Sequence, residues 1–458
     1  MIKINERYYQ TSNGLLFDTD TSFIIKPLNI DINELIKLIC SYGKNLNRKV
    51  LSHAEYSDGA NFAINLNLTS ACNLNCSYCF ARGGDYGDQK DNMSVNVLPV
   101  LKKIMLSNVT KSQKIRFEYF GGEPLLNEDM ICSLIEFSKI IEQEYGIHVL
   151  HRISTNLTFL SERMLNVICE NNFVVSVSID GIKEIHDKQR PSRNGISTFD
   201  TILANIRQIK ERNPSVQTVA RMTIAQSDIT IYENIKELVN TGLFNYVSIY
   251  PASIISSEDG RYTYYFNEEI KKQYHEIFTK YNDLCALNSN FRGLLEVEKI
   301  LDSLLNGKLS VSHCSAGKNY CTLSSDGTVV TCHRLCGKKQ YMLNNDNSGV
   351  LDSMLQEQWA KKVDADLICS KCFARYICGG GCKQEHIAYS GDFEKKNEDA
   401  CAFRIFFLEE IISNIEELSL NFKNRYVSLD DMFVYCGRPV VETGRCRMPE
   451  SDFYHIFD

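Results

Sequence analysis

The stretch NFAINLNLTSACNLNCSYCF, residues 61–80, decides the fold, because it joins an apolar run of strand length to three closely spaced cysteines. These are Cys72, Cys76 and Cys79, in the spacing C-x3-C-x2-C. Thiolates bind soft metals, and sites built from sulfur hold zinc or iron-sulfur clusters. A zinc ribbon has paired C-x2-C knuckles, whereas this triplet has no fourth cysteine close to it. The stretch therefore predicts a four-iron cluster with three protein ligands, which leaves one iron open to a small molecule.

Further apolar runs of strand length follow as far as residue 300, and segments of helical period lie between them. The predicted strands are 61–68, 114–120, 148–155, 174–180, 218–225 and 246–251. Strands that alternate with helices form a mainly parallel sheet, and six such units make an open barrel rather than the closed barrel of eight. We therefore predict an α/β protein built on a partial (β/α)6 barrel of the TIM type, with the cysteines at its ligand-binding mouth.

The regions on either side of the barrel have different patterns. The N-terminal region contains two or three short strands with tight turns, then a helix over 31–43, and is predicted to be a small α+β module. After about residue 301 helical period fades while Cys and Gly become dense, and a helix returns at about 401–418. The predicted regions are 1–60, 61–300, 301–405 and 406–458.

The composition excludes several classes of function. A net charge of −7 provides no basic field for phosphates, so nucleic acid is not an expected partner. The sequence contains no signal-peptide pattern and no apolar run of membrane-spanning length, which predicts a cytoplasmic protein without a membrane partner. In a reducing compartment, 18 cysteines favour metal ligands or core residues over disulfides.

A second and denser set of cysteines lies in the C-terminal half. It comprises Cys314, Cys321, Cys332, Cys369, Cys372, Cys378, Cys382 and Cys401. Eight thiolates are enough for two four-iron clusters, although spacing alone leaves open that one site binds zinc. The thiols interpreted as buried structural residues are Cys40, Cys132, Cys169 and Cys285. Cys436 and Cys446 are interpreted as passive surface residues, with a ligand or substrate-facing role as the alternative.

The triplet C-x3-C-x-aromatic-C after the first strand resembles the signature of the radical S-adenosylmethionine (SAM) enzymes, and the resemblance covers about residues 61–285. It implies that the three cysteines hold a 4Fe-4S cluster whose open iron binds the amine and carboxylate of SAM. It also implies SAM contacts by Tyr78, by Gly121, Gly122, Glu123 and Pro124 of the GGEP segment, and by Asn156, Ser178 and Arg190. For the last three an ordinary strand-end or loop role is the alternative. No catalytic residue is assigned beyond the cluster.

The DGTVVTC segment and the run C-x2-C-x5-C-x3-C resemble the SPASM domain of radical SAM peptide-modifying enzymes over roughly 310–405. This resemblance implies two auxiliary clusters. The nearer would be bound by Cys314, Cys321, Cys332 and Cys382, and the outer by Cys369, Cys372, Cys378 and Cys401. The cofactors implied are therefore three 4Fe-4S clusters and SAM.

Enzymes with a SPASM domain form thioether links, join carbon atoms between side chains, or oxidise a Ser or Cys of a sulfatase to formylglycine. The segments CFARGGDYG and CHRLCG resemble maturases that build thioether bridges in ribosomally made peptides, so thioether formation through a 5'-deoxyadenosyl radical is the predicted reaction. Sulfatase-maturing enzymes carry an Asp after the third SPASM cysteine, where this chain has His333, and they start near the cysteine motif. Formylglycine formation and carbon-carbon cross-linking remain alternatives, and an electron-transfer protein with several clusters is the alternative of another class.

Residues 1–60 weakly resemble the winged-helix-like element that binds leader peptides in peptide maturases, and a cap on the barrel is the alternative. A strand edge in this module could pair with an extended leader. The predicted partners are therefore a precursor peptide with a leader and a reducing protein such as flavodoxin or ferredoxin.

Overall fold

The computed structural model describes residues 1–20, 22–25, 32–33, 36, 60–84, 91–225, 230–255, 262–264, 266–305, 309–344, 349–415 and 417–418. The strands, in chain order, are β1 (Ile2–Lys3), β2 (Tyr8–Gln10), β3 (Leu16–Asp18), β4 (Phe23–Ile25), β5 (Phe62–Asn67), β6 (Lys114–Phe120), β7 (His148–Thr155), β8 (Val174–Ser178), β9 (Gln217–Ile224), β10 (Tyr246–Pro251), β11 (Ser253–Ile255), β12 (Tyr262–Tyr264), β13 (Gly293–Leu294), β14 (Tyr320–Leu323), β15 (Val329–Val330) and β16 (Met342–Asn344).

The helices surround the sheet and connect its strands. In chain order they are α1 (Leu98–Asn108), α2 (Glu128–Tyr145), α3 (Glu162–Glu170), α4 (Lys183–Gln189), α5 (Phe199–Arg212), α6 (Ile231–Asn240), α7 (Glu268–Thr279), α8 (Tyr281–Ala286), α9 (Leu295–Leu305), α10 (Ser353–Trp359), α11 (Arg375–Cys378), α12 (Lys383–Ser390) and α13 (Glu398–Ser413). The longest, α2, shows why they begin and end where they do. Glu128 and Asp129 place negative charge at its N-terminus, and Gly146 ends it with a left-handed φ of 65°.

A ten-stranded sheet forms the centre of the protein, in the order β13-β10-β9-β8-β7-β6-β5-β14-β15-β16. The strands from β5 to β10 pair in parallel with their neighbours in sequence. These strands coincide with the predicted ones to within two residues at each end, and the predicted partial barrel is confirmed. The extension of the sheet by β14, which pairs in parallel with β5, was not predicted.

The barrel strands present one face to the helices and the other to the barrel lumen. On β8, Val175 and Val177 join the main core under the helices. Val174 instead forms a small separate cluster with Val219, Tyr246 and Leu295. Because side chains alternate along a strand, Ser176 and Ser178 share the lumen face with Val174. The lumen therefore has an apolar floor and polar walls.

The N-terminal strands β1 to β4 form their own antiparallel sheet, where two or three strands had been predicted. The additional strand is β1, which is only two residues long and lies before the stretch in which the strands were predicted. This sheet packs on the C-terminal part of the chain: the amino group of Met1 lies 3.2 Å from Glu409 on α13, and the ring of Phe17 lies 6.2 Å from that of Phe373.

Some predictions fall outside the described residues. They are the helix over 31–43, apart from residues 32–33 and 36, and Cys40, Cys436 and Cys446. Among the other thiols predicted to be structural, Cys169 and Cys285 are buried, whereas Cys132 is partly exposed on α2. None of the described helices is both long and apolar enough to cross a membrane.

Candidate active site at the barrel mouth

The cysteine loop leaves the end of β5 and lies directly against the glycine segment that follows β6. The N–H groups of Gly122 and Glu123 donate hydrogen bonds to the carbonyl oxygens of Thr69 and Ala71, at 2.7 and 2.8 Å. A Cβ atom on Gly122 would lie 2.1 Å from the oxygen of Ala71. Only glycine allows two backbone segments to approach so closely, and this approach fixes the backbone that leads into Cys72.

Each thiol of the loop accepts a hydrogen bond from a nitrogen atom. The pairs are Asn156 Nδ2 to Cys72 Sγ at 3.8 Å, Arg190 Nη1 to Cys76 Sγ at 4.0 Å, and the backbone N of Gly83 to Cys79 Sγ at 3.3 Å. Donors to sulfur stabilise thiolate ligands and tune the potential of a cluster. The surroundings of the three thiols therefore suit metal-bound sulfur.

The thiols of the cysteine loop need a positive charge beside them in order to ionise. Burial raises the pKa of Cys72 to about 11, so a thiolate here needs a cation to offset its charge. In the described part of the chain, no three His, Cys, Asp or Glu side chains are arranged around one metal ion. The ligands of a 4Fe-4S cluster bind different iron atoms and stand further apart than those of one ion. The assignment of the three cysteines to such a cluster stays a prediction.

The carboxylate of Glu123 is buried and already engaged within the protein. Oε1 accepts hydrogen bonds from Thr155 Oγ1 at 2.6 Å and from the N–H of Leu125 at 3.1 Å, and Oε2 accepts from the N–H of Asn156 at 2.6 Å. Desolvation raises its pKa to about 7, against the opposing effect of these donors. Glu123 thus holds Asn156 and the helical turn that begins at Pro124. Contact of the GGEP segment with SAM stays a prediction.

Asp180, just after β8, is the centre of a buried network that the motifs had not assigned. Its carboxylate accepts from Arg190 Nε at 2.8 Å and Nη2 at 3.0 Å, from the N–H of Thr223 at 2.9 Å, and from the hydroxyl of Tyr78. The Arg190 guanidinium also lies 5.2 Å from the centroid of the Tyr78 ring. The polar groups of Tyr78 and Arg190 are therefore held by Asp180, and their contacts with SAM stay predictions. The carboxylate at the end of SVSID was the signal that could have revealed this network.

Asn156 and Ser178 lie on neighbouring strands of the mouth. Asn156 follows β7 and donates to Asn73 Oδ1 at 2.8 Å as well as to the cysteine loop. Ser178 ends β8 with a partly exposed side chain, and it pairs in register with Arg221 of β9. The structure thus brings Asn156 to the predicted cluster site and leaves Ser178 open at the lumen wall.

Part of the second cysteine set lies beside the barrel. The thiols of Cys314, Cys332 and Cys382 interact electrostatically with one another. Cys321 lies on β14, where it is fully buried. Burial raises the pKa of Cys382 to about 12. These positions agree with a common site for the first three residues, and the nearer auxiliary cluster stays a prediction.

The remaining cysteines of this set form a separate group. The thiol of Cys378 interacts with those of Cys369, Cys372 and Cys401. Burial raises the pKa of Cys369 to about 12 and that of Cys401 to about 11. The structure therefore brings together the residues predicted for the outer cluster, whose presence also stays a prediction.

His333, directly after Cys332, faces the SAM side of the barrel. Its ring centroid lies 4.6 Å from that of Phe120 and 6.2 Å from that of Phe80, the residue after Cys79. Its Nδ1 lies 3.0 Å from the hydroxyl of Tyr320. Desolvation lowers the pKa of His333 to about 4. His333 is therefore a neutral imidazole at physiological pH.

Cys336 is a further buried thiol, which no motif had assigned. Its Sγ accepts from Asn67 Nδ2 at 3.9 Å and from Ser324 Oγ at 3.8 Å. Desolvation raises its pKa to about 11, so it is a neutral thiol at physiological pH. Its contact with Asn67 places it at the barrel wall.

Comparison with known proteins connects this site to described families. Residues 66–228, which include the cysteine loop, GGEP, Asp180 and Arg221, match the model of the Radical SAM superfamily. A cysteine-type anaerobic sulfatase-maturating enzyme of Clostridium novyi is 27% identical over 362 residues, which cover 75% of this chain and 93% of that enzyme.

Solved structures share the fold. The structure of anSMEcpe with bound AdoMet and Cp18Cys peptide superposes with a TM-score of 0.63 and 22% identity, covering 78% of this chain and 99% of that one. Streptococcus suis SuiB bound to precursor peptide SuiA superposes with a TM-score of 0.50 and 16% identity, covering 82% and 84% of the two chains. At these identities the likeness concerns the fold alone.

Proposed function

We propose, from the premise that this chain carries a radical SAM domain and is a radical SAM enzyme, that it forms thioether cross-links in a ribosomally made peptide. A radical SAM domain implies one 4Fe-4S cluster and SAM. When bound, that pair supplies a 5'-deoxyadenosyl radical able to take a hydrogen atom from an unactivated carbon. The substrate is a peptide, in keeping with the peptides bound to anSMEcpe and to SuiB in their structures.

One observation carries the proposal: the residues after Cys79 and after Cys332 contact each other at the barrel mouth. Phe80 contacts the His333 ring, and the Arg334 guanidinium lies 4.7 Å from the centroid of the Phe80 ring. A peptide bound beside this contact would be close both to the site of hydrogen abstraction and to an auxiliary site that can accept an electron. Thioether formation needs both, because its second step is an oxidation.

Thioether formation removes two hydrogen atoms from the peptide. The peptide loses one hydrogen from carbon and one from a cysteine thiol, and sulfur joins carbon. The hydrogen from carbon leaves in 5'-deoxyadenosine, the thiol proton passes to a base, and one electron passes to the auxiliary site. A reducing protein, of the flavodoxin or ferredoxin type, supplies the electron that cleaves SAM into methionine and the radical. The protein aligns the reacting atoms and excludes water.

Two auxiliary clusters in a SPASM domain are part of the proposal. They use the group of Cys314, Cys321, Cys332 and Cys382 and the group of Cys369, Cys372, Cys378 and Cys401. We further propose that residues 1–60 bind the leader of the precursor. Among the described strands, β4 lies at one edge of the short antiparallel sheet, and an edge strand is a suitable template for an extended peptide.

Formylglycine formation on a sulfatase is the second candidate, and the match along 93% of the Clostridium novyi enzyme favours it. Against it stands His333, a neutral imidazole beside Tyr320 where that reaction uses a carboxylate base. The two candidates require the same cysteine loop and differ in what happens to the substrate sulfur. A thioether retains the sulfur atom, whereas formylglycine formed from cysteine loses it.

The deciding experiment incubates the reconstituted holoenzyme with SAM, dithionite and a cysteine-containing precursor peptide, sought as a short reading frame beside the gene, and with a cysteine-type sulfatase peptide as the comparison. We expect the first peptide to lose two hydrogen atoms by mass, with a sulfur that no longer reacts with iodoacetamide. An aldehyde that reacts with hydrazide in the sulfatase peptide, together with an unchanged precursor, would replace the first candidate by the second.

The matched control is Cys132→Ser, a thiol on the outer helix α2, set against Cys72→Ser in the loop. Cys132→Ser should leave the mass change intact, since this thiol lies away from the mouth. Cys72→Ser should abolish it together with the release of 5'-deoxyadenosine. Modification of the peptide by Cys72→Ser would remove the basis for radical chemistry at this site.

A further inference from the structure

The walls of the barrel lumen carry charged side chains above the apolar floor. Glu118 on β6, Arg152 on β7 and Arg221 on β9 belong to strands whose alternate residues face the lumen. Arg221 shares its face with Val219, a residue of the floor cluster, and lies two residues further along β9. Glu118 and Arg152 are partly buried, whereas Arg221 is exposed to the lumen, and a charge in such a site is stabilised by a partner of opposite sign.

Arg221 is the charge that the described residues leave without a direct partner. Its side chain is exposed to the lumen, and no hydrogen bond or ion pair joins its guanidinium to another described residue. Its register neighbours are Ser178 on β8 and Ser248 on β10, neither of which is charged. Desolvation and the nearby Arg152 lower its pKa, which shows that its surroundings disfavour the positive charge.

The carboxylates closest to Arg221 are engaged elsewhere. Glu118 accepts from Arg116, with Nε at 3.0 Å and Nη2 at 2.9 Å from Oε1. Glu296 accepts from Ser248 Oγ at 2.6 Å and from the N–H of Ile249 at 3.2 Å. This part of the lumen has three positive and two negative side chains, an excess of one positive charge. They are Arg116, Arg152 and Arg221, and Glu118 and Glu296. That excess matches a monoanion better than a phosphate dianion.

The lumen face also holds buried polar atoms without hydrogen-bond partners. They are Asn65 Oδ1, Ser176 Oγ and Thr322 Oγ1, on side chains that are at most 1% exposed. Asn65 and Thr322 are register partners on β5 and β14, and Ser176 lies on β8 one lumen-facing position below Ser178. These atoms are buried too deeply to contact a ligand, but they show that the lumen face of the sheet is polar below Ser178.

We propose that Arg221 and the polar wall around it bind a carboxylate carried by an acidic side chain of the substrate. The inference rests on the proposed function in one respect, namely that a peptide enters the lumen. A guanidinium binds a carboxylate through two parallel hydrogen bonds, which gives direction as well as strength. The site thus selects an Asp or Glu of the peptide and orients the peptide below the SAM site. The carboxylate of SAM is the other anion that Arg221 could bind, because Ser178, a predicted SAM contact, is the register neighbour of Arg221.

The test measures binding with defined probes. The peptides are acetyl-Gly-Gly-Cys-Gly-X-Gly-Gly-amide, in which X is Asp, Glu, Asn or Gln and both ends are uncharged. They are titrated calorimetrically, without oxygen, into the iron-replete enzyme with SAM. We expect the acidic peptides to bind about 10-fold more tightly than their amides, and Arg221→Gln to reduce that ratio below about 2-fold. Arg207→Gln, the same change on the outer face of α5, should preserve the ratio.

Two results would overturn the proposal. One is equal binding of acidic and amide peptides to the unaltered enzyme, and the other is a preference that survives in Arg221→Gln. If the amide and acid peptides bind equally while Arg221→Gln weakens SAM binding about 10-fold, the carboxylate belongs to SAM and the substrate assignment is wrong. Arg221→Lys keeps the positive charge but loses the forked guanidinium, so it should lower the ratio of acid to amide affinity. It replaces Arg221→Gln in the test if the Gln variant fails to bind iron.

Failure of the proposed function is scored separately, by mass. Peptides that are cross-linked without any acid preference would leave thioether formation standing and refute the carboxylate site. Peptides that bind with an acid preference, but react to an aldehyde rather than to a thioether, would support the site and refute the thioether reaction.

Discussion

Replacing Gly122 by alanine is the sharpest test of how the glycine segment supports the cysteine loop. The new Cβ would lie 2.1 Å from the oxygen and 2.5 Å from the carbon of Ala71, and 3.1 Å from the nitrogen of Cys72. Ordinary contacts of this kind are about 3.4 Å or longer, so the two segments have to separate by roughly 1 Å. No flexible side chain can yield, because all three contacts are with backbone atoms.

The magnitude follows from what holds the two segments together. Separation breaks or lengthens the hydrogen bonds from Gly122 to Thr69 and from Glu123 to Ala71, each worth about 0.5–1.5 kcal/mol. We therefore expect a loss of about 1–3 kcal/mol in local stability. The effect on catalysis is larger, because a displacement of about 1 Å at a reacting centre can cost about 100-fold in rate.

The assay measures iron content and the release of 5'-deoxyadenosine from reconstituted enzyme with SAM and dithionite. Gly122→Ala should release it at least about 100-fold more slowly, with partial loss of iron. The control is Gly195→Ala, where φ is +74° and no atom lies within 4 Å of an added Cβ. An alanine at this position costs only about 1–2 kcal/mol, for its left-handed backbone conformation, and the variant should cleave SAM normally. Cleavage by Gly122→Ala at more than a third of the normal rate would refute the steric argument.

Three further predictions concern stability and iron. His186 is buried and its pKa is lowered to about 4, so the folded state loses stability as the pH falls from about 6.5 toward 4. His186→Gln should reduce this pH dependence of the unfolding free energy, which is measured by urea unfolding of the apoprotein at pH 5 and 7. Asp180→Asn breaks a buried pair with Arg190 and should cost about 3–5 kcal/mol, whereas the exposed Asp200→Asn should cost less than about 1 kcal/mol, both measured by urea titration at pH 7. Cys369→Ala should lose about a third of the iron and all cross-linked product, and full iron with normal product would contradict the outer cluster.

The barrel could be predicted from sequence because its signals are local. Each strand from β5 to β10 is a run of apolar or alternating residues that can be recognised within about eight positions, and segments with the 3.6-residue period of a helix separate these runs. The cysteine loop and the glycine segment are likewise contiguous motifs. Even the close approach at Gly122 is implied by two adjacent glycines after a strand.

The parts that escaped prediction depend on contacts between distant residues. The pairing of β14 with β5 joins Tyr320 to Ala63, and the four residues of β14 are too short a run to predict a strand. Asp180 binds both Tyr78 and Arg190, and it lies more than 100 positions from Tyr78 in the sequence. No spacing rule links these residues. Arg221 stood in a correctly predicted strand, but whether it was paired could be judged only once the neighbouring strands had placed Glu118 and Glu296.

The pairing of β14 with β5 has a consequence for how the two halves of the reaction are coupled. β5 leads directly into the cysteine loop, while β14 contains Cys321, so one pair of hydrogen-bonded strands connects the SAM site with the proposed auxiliary site. The sheet runs without interruption across the predicted boundary between residues 300 and 301. The ring of Phe80, after the cysteine loop, lies 6.2 Å from that of His333, which follows β15 in the same sheet. In the proposed reaction the substrate radical forms near the cysteine loop and is oxidised near the auxiliary site, so a continuous sheet is a better scaffold for this chemistry than two domains joined by a flexible linker.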